Sequence, residues 1–587
     1  MVDPRIYRAS FVPALLALVV AMFSLTSRPA AHVSDLAPDA FSGADAFADT
    51  REFTQRFPDR RAGAPGDEAL ADVVEGRFRA LGLETSRQRF FADVDGREQE
   101  LSNVIGRLRG RSDREIVIMA HRDSAGRPGA ASASGTAVLL ELTQALDALD
   151  RSKTIVVVSS DGATADDAGA RRFAEHYPGR DRVDVALVID DIGAAAPRRP
   201  FVLPWSTDSN RASLATARTA EVALRRETGA AAGSESWPRQ FMRLAWPLTL
   251  REQGPLVRSG LDAVTLTAHG ELPRPPGADP LSGVSADRLT RFGRAGFATV
   301  LAFDSPRFRG GGPHRDLVMG RNVLPSWSLA LLAAALTLPA LVAAIDAVAR
   351  ARRRRAPVGD WIGWALGASL AFGVVAAGAI VFELAGWLPR SIEEAVAPAT
   401  APSFWEAAPA LAALGLLLAL AWLTVRRVFA GEAHLRDNAS GAAAVALMLA
   451  VEVMALCVFN PYAALLLVPV AHLSLLAALP ERPRSSVLAP AILAGGLALP
   501  AAALLYYGAQ LDLGLSLDAY ALMLTSAFSG SPTSVVFGSL LAGTLASAVI
   551  VTLRADGRKP PAEVTVRGPV TYAGPGSLGG TESALPR

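Results

Sequence analysis

A histidine at the end of an apolar strand, with a carboxylate two residues further on, is a way to present a metal ligand and then orient it. The stretch "REIVIMAHRDS" has this arrangement: His121 would coordinate, and Asp123 would sit beside its ring as a supporting group. Alone the spacing decides little. A second stretch, "VVVSSDGATADDAGARRFAEHYPGR", runs a β-branched strand into Asp161-Gly162 and then into a helix. Asp161 is placed to cap that helix, Asp166 and Asp167 follow on it, and His176 falls on its surface. Further along, Glu452 and His472 are ionisable side chains inside apolar runs, where such groups form relays or buried polar pairs. The short "NPY" turn between them would let the two face each other, whereas Glu383 and Glu406 fall near run ends and read as interfacial. The single cysteine, Cys457, excludes an intrachain disulfide and any Cys-based metal site, and reads as a packing residue.

These side chains need a frame, and the order of elements supplies one. "DEALADVVEGRFRALGLE" is an amphipathic helix with Leu70, Val73, Val74, Phe78 and Leu81 on one stripe and Gly82 at its end. "REIVIMAH", "KTIVVVSSD", "VDVALVIDDIG" and "GLDAVTLTA" are buried strands, with "GTAVLLELTQALDAL" as a helix between the first two. Near-continuous apolar strands alternating with helices imply an α/β fold, a mainly parallel mixed sheet with helices on both faces, over residues 38–306. Residues 307–326, with "FRGGGPHRD", read as a Gly-rich linker in which His314 is a solvated loop residue.

Of the 587 residues 51% are hydrophobic and only 19% charged, and the apolar ones crowd the C-terminal half, which marks a water-soluble half joined to a membrane half. Seven spans are expected within 327–553, at 327–349, 361–388, 405–425, 439–459, 462–479, 486–508 and 533–553. Residues 1–30, with Arg5 and Arg8 ahead of "FVPALLALVVAMFSLTS", read as a signal anchor or a signal peptide. Arg350 to Arg355, Arg426 with Arg427 and Arg436, Arg482 with Arg484, and Arg554 with Arg558 and Lys559 fall in alternate loops. By the positive-inside rule these loops are cytoplasmic, so the expected protein is multi-pass in a bacterial plasma membrane, its α/β part outside and its disordered tail, 554–587, inside. A net charge of +2 and arginines gathered at span ends point to the lipid bilayer as partner, not to nucleic acid.

From about residue 40 to 305 the motifs resemble peptidase family M28, the two-zinc exopeptidases. "NVIGRLRG", "MAHRDS", "GAASASGTAVLLEL", "SSDGATADDAGARRFAEH" and "ALVIDDIG" are similar, in order, to that family's strands, ligand motifs and helix starts. The resemblance implies two zincs held by two His, a bridging Asp, a Glu and a further Asp, with a neighbouring Glu as general base. His121 matches the first His and Asp190 the further Asp. The bridging Asp falls on Ala131, or on Ser132 if the register slips by one; the base falls on Ala163, the Glu ligand on Thr164, and the last His on Pro275. Alanine cannot hold two cations together, and losing a general base removes a term typically worth ~10²–10⁴ in rate. Asp166, Asp167 and His269 are the available substitutes.

Three readings follow. The α/β part is a catalytically degenerate pseudopeptidase that binds a peptide or a membrane partner and needs no cofactor; or it is an active aminopeptidase with zinc in a rebuilt site; or it is a capturing cap on a transporter-like bundle that works through Glu452 or His472.

Overall fold

The computed structural model describes residues 4–554 apart from 95, 273–278, 391, 397–402, 430–437, 479–486 and 515. Its strands are β1 (Thr26–Ser27), β2 (Glu84–Val94), β3 (Arg97–Leu108), β4 (Ser112–His121), β5 (Lys153–Ser160), β6 (Val183–Asp190), β7 (Val202–Leu203), β8 (Ala263–Thr267), β9 (Leu317–Met319) and β10 (Asn322–Leu324). Seven of them form one mixed sheet in the order β2-β3-β5-β4-β6-β8-β7, whose centre, β5-β4-β6-β8, is parallel. The period-two alternation of β4 divides its side chains between two cores. Ile116, Ile118 and Ala120 pack under the helices Ala130–Asp147 and Ala286–Phe303; Val117 and Met119 pack against Phe173 and Leu256 on the other face. The helix Ala130–Asp147 is buried almost all round. Its Gly135 lets it lie directly on the sheet, since a Cβ there would stand 3.0 Å from the Ile189 carbonyl oxygen.

The segment 307–326 is more than a linker. Between the glycines and Ser326 it folds into the hairpin β9–β10, which β1 joins antiparallel with Thr26 opposite Val323, so the chain leaving the N-terminal helix is sewn to the chain entering the membrane half. His314 is half-buried there rather than solvated: its backbone pairs with Arg211, and its Nδ1 accepts from the Asp316 N–H. Burial and the nearby Arg211 push its pKa down to about 4.

Seven helices among the described residues are long and apolar enough to cross a bilayer: Arg5–Phe23, Ser326–Arg353, Val358–Leu384, Trp405–Val425, Ala439–Phe459, Pro490–Gln510 and Pro532–Leu553. The span expected at 462–479 is built in two parts. It is an α-helix over Pro461–Ser474 that tightens into a 3₁₀ turn over Leu475–Ala478. Asn460 breaks the chain after Phe459 and caps the new helix, accepting from the Tyr462 and Ala463 N–H groups. The two segments together still reach about 29 Å, close to the ~30 Å hydrocarbon thickness. A further helix, Leu517–Ser529, was not foreseen from the composition. Small residues let two helices of the bundle approach backbone to backbone, where a Cβ on Gly543 would meet the Ser369 backbone at 2.3 Å.

The α/β half rests on one end of this bundle. Asn460 Nδ2 donates to the Leu244 and Ala245 carbonyls (both 3.0 Å), Tyr462 and Tyr507 donate to the Arg315 and Trp246 carbonyls, and Arg198 pairs with Asp512 at 2.6 Å. All of these bundle residues lie at helix ends on one side. The helix that starts at Ser326 on that side reaches Arg350–Arg353 at the other, and Arg5 and Arg8 begin the helix whose far end leads into β1.

Candidate functional site

His121 closes β4 and Asp190 closes β6; the strands are parallel neighbours, so the two side chains emerge together at the C-terminal edge of the sheet, the usual place for an α/β site. His121 Nε2 lies 3.0 Å from Asp190 Oδ1, and His121 Nδ1 lies 2.9 Å from the Asp123 carbonyl oxygen. A carbonyl oxygen and a carboxylate can only accept, so both ring nitrogens must donate and His121 is an imidazolium. Burial opposes that charge, but Asp123 and Asp190 outweigh it and raise the pKa well above the ordinary range. The second Asp190 oxygen is 2.7 Å from Arg251 Nη1. Arg251 Nη2 in turn donates to the Leu272 carbonyl at 3.1 Å and stands 3.5 Å from Asp191 Oδ2. Burial pushes the Asp190 carboxyl up, yet Arg251, His121 and His269 together lower its pKa to about 2.

Around this pair the turn after β5 is tied to Asp123. One of its oxygens accepts from the Ala163 N–H (3.1 Å), and the other accepts from the Thr164 N–H (2.8 Å) and hydroxyl (2.7 Å). Asp123 thus meets His121 through its backbone carbonyl, with its carboxylate 3.7 Å from the same ring nitrogen, and braces the turn. The hydroxyl of Ser160, at the end of β5, donates to Glu252 Oε1 at 2.5 Å. Glu252 Oε2 is buried with no hydrogen-bond partner, and burial, only partly offset by His121 and Ser160, raises the Glu252 pKa to about 7. Opposite, the Asp279 carboxylate accepts from the Ala131 N–H at 2.8 and 2.9 Å, capping the first turn of the helix Ala130–Asp147. Ser132 donates to the Gly129 carbonyl and faces the buried Arg60, so neither register of the bridging position offers a carboxylate.

The substitutes do not converge on His121. Asp166 and Asp167 precede the helix Ala168–His176 instead of lying on it, both with left-handed backbone (φ 56° and 53°). Asp166 pairs with Arg171 at the surface, and Asp167 adds to the charge around the same arginine. His269 is near enough to lower Asp190, but its Nδ1 is directed to the Leu272 carbonyl. Pro275 lies outside the described residues. Asp161 does not cap the helix: its carboxylate accepts from the Ser102 N–H and pairs with the buried Arg122. Among the described residues no three His, Cys, Asp or Glu side chains are grouped to hold a metal ion. Glu452 and His472 do not face each other either. Glu452 accepts from Thr544 at 2.7 Å, while His472 donates from Nε2 to the Leu336 carbonyl and accepts on Nδ1 from Tyr7 of the N-terminal helix, both at 2.8 Å.

Arg251, Glu252 and Asp279 were missed in the sequence. The only signal for the first two is a charged pair inside the otherwise apolar "WPLTLREQGPLV". They matter beyond the site, because the loop 268–272 is shared. Gly270 and Leu272 turn their carbonyls to Arg251, while Glu271 between them forms a two-pronged pair with Arg243. The Arg243 guanidinium, also 3.3 Å from Glu235, lies over the rings of Trp205, Tyr506 and Tyr507, the last two belonging to the bundle.

Residues 103–237 match the model of Peptidase family M28, the family to which the motifs pointed. Three solved structures are similar in fold. BSAP, a zinc aminopeptidase from Bacillus subtilis, is 14% identical with a TM-score of 0.38, over 44% of this chain and 94% of that one. A glutaminyl cyclase from an Acidobacteriales bacterium is 21% identical with a TM-score of 0.37, over 48% and 100%. A glutaminyl cyclase from Porphyromonas gingivalis is 17% identical with a TM-score of 0.35, over 46% and 100%. No curated protein sequence matches the chain.

Proposed function

We propose that this protein is a membrane-anchored pseudopeptidase, whose α/β half keeps the M28 frame and uses the emptied cleft to hold a peptide terminus or a membrane partner without cutting it. One observation carries the reading: the pair His121–Asp190 is closed on itself and on Arg251 (3.0 and 2.7 Å). A zinc ligand must offer a lone pair, and here the His121 Nε2 lone pair is used by a proton. A guanidinium beside the carboxylate repels the dication that the carboxylate would have to bind. With Ala131, Ala163 and Thr164 at three further positions, the residues present do not fit a two-zinc centre, and no step is assigned to zinc.

The α/β half is placed on the extracytoplasmic side. Supporting this, Arg350, Arg352 and Arg353, and Arg5 and Arg8, end or begin helices at the bundle face away from it. The test of the main reading is metal stoichiometry of the full-length protein in detergent, after zinc loading and desalting, with aminopeptidase assays alongside. Far less than one zinc per chain and no turnover are expected. About two zincs per chain that vanish in His121→Ala would sink the proposal.

A further inference from the structure

A second site lies away from the cleft and does not depend on its chemistry. Between the loop after β6 and the start of the helix Ala286–Phe303 is a groove of about 520 Å³, whose charged lining is Arg198, Arg199, Arg288 and Arg291 against Asp287 alone. At its base Phe201 and Phe292 pack edge to face, with ring centroids 5.3 Å apart. The loop is held in place by the Arg198 N–H, which donates to the Ala268 carbonyl at 2.9 Å. Two of the arginines are answered within the protein, Arg198 by Asp512 (2.6 Å) and Arg291 by Asp287 (3.0 Å). Among the described residues no carboxylate lies within ion-pair distance of Arg199 or Arg288, and the Arg288 Nε is buried with no acceptor. Arg199 instead extends over the Phe201 ring, 5.9 Å from its centroid.

The location narrows the occupant. Asp512 follows directly on the membrane helix that ends at Gln510, so the Arg198 end of the groove stands at the level where that helix leaves the bilayer. We propose that the groove binds a phosphate-diester anion, the headgroup of an anionic lipid of the adjoining leaflet. Planar guanidinium forks match phosphate oxygens, a carboxylate-poor site favours an anion, and the aromatic base suits the uncharged stem that a lipid phosphate carries.

The experiment uses the full-length protein in detergent, titrated with phosphatidylglycerol or phosphatidylcholine and read by retained lipid in native mass spectrometry and by the melting temperature. Phosphatidylglycerol should be retained about ten-fold more strongly than phosphatidylcholine, and R199Q/R288Q should lose about that factor while R199K/R288K keeps most of it. Equal retention of the two lipids, or phosphatidylglycerol binding by R199Q/R288Q at the wild-type level, overturns the proposal. Displacement by equimolar glycerol phosphate overturns the lipid as source and leaves a soluble phosphate in its place. If the double variant fails to fold, the exposed R291Q takes over the test: weaker phosphatidylglycerol retention supports the proposal, and unchanged retention overturns it.

Discussion

Arg251 and a zinc ion would both neutralise Asp190, but they leave different fingerprints, because a guanidinium is tethered and cannot be chelated away. Replacing it by methionine takes the guanidinium from between buried Asp190 and Asp191 and leaves His121 as the one cation hydrogen-bonded to Asp190. Arg251→Met should therefore cost about 3–5 kcal/mol, seen as a lowered midpoint in chemical denaturation, and Asp190→Asn in the same chain should recover part of the loss. Chelator should move neither midpoint. Glu252 makes a separate prediction from its pKa of about 7, raised from an ordinary 4.5 by burial. A carboxyl that binds its proton more tightly when folded contributes its full stability below pH ~4.5 and loses it as pH rises through about 7. The α/β half should weaken across that window by on the order of 3 kcal/mol, and Glu252→Gln should flatten the slope. An unchanged slope in the variant would remove Glu252 from the account. His121 and Asp190 were legible in the sequence because each ends a strand whose pattern is plain. Arg251, Glu252 and Asp279 reach the site from loops well over a hundred residues away from His121 along the chain. No local pattern records such a meeting.

At the level of elements, the strands and helices of the α/β half were readable because both obey simple periods: continuous apolar runs for strands buried on two faces, and a three-to-four spacing for the flanking helices. The hairpin β9–β10 was not, since its three-residue strands are too short to show alternation and glycines precede it. The span at 461–478 has the expected extent but not a single helix type, because composition does not distinguish an α-helix from an α-helix that tightens into 3₁₀. The loop 268–272 has consequences of its own. Its alternate residues face opposite ways, to Arg251 in the cleft and to Arg243 under the bundle aromatics. Removing Arg243 leaves Glu271 and Glu235 buried without their cation, so Arg243→Met should cost about 3–5 kcal/mol and free the α/β half from its seat. Limited proteolysis should then cut between residues 268 and 280 or at 246–250 faster than in the wild type. Wild-type cleavage kinetics would mean that the seat is held by the apolar contacts alone.

The whole molecule is two bodies joined at several points, and the orientation proposed for it in the bilayer rests on where arginines gather. In a Cys457→Ser background, Arg239→Cys should be labelled by an impermeant maleimide added to intact cells, and Arg353→Cys only after the membrane is opened; the reverse pattern would invert the molecule. The general division into a water-soluble and a membrane half was evident in composition, whereas the seating of one on the other depends on Asn460, Tyr462 and Tyr507, three polar side chains at helix ends that carry no motif. One seam adds a dimension of time. Thr26 pairs with Val323, so a strand made among the first residues waits for a partner about 300 residues later, far beyond the reach of ordinary local folding. At ~5–20 residues per second the ribosome needs roughly 15–60 s to close that interval. During it the two edges of the seam are apart, and the nascent α/β half is tied to the N-terminal helix by a single thread. Only a chain whose α/β half has been made and whose residues 317–324 have come back to Thr26 can zip the seam, so the three-stranded sheet forms after the α/β half and ahead of the helices that follow it.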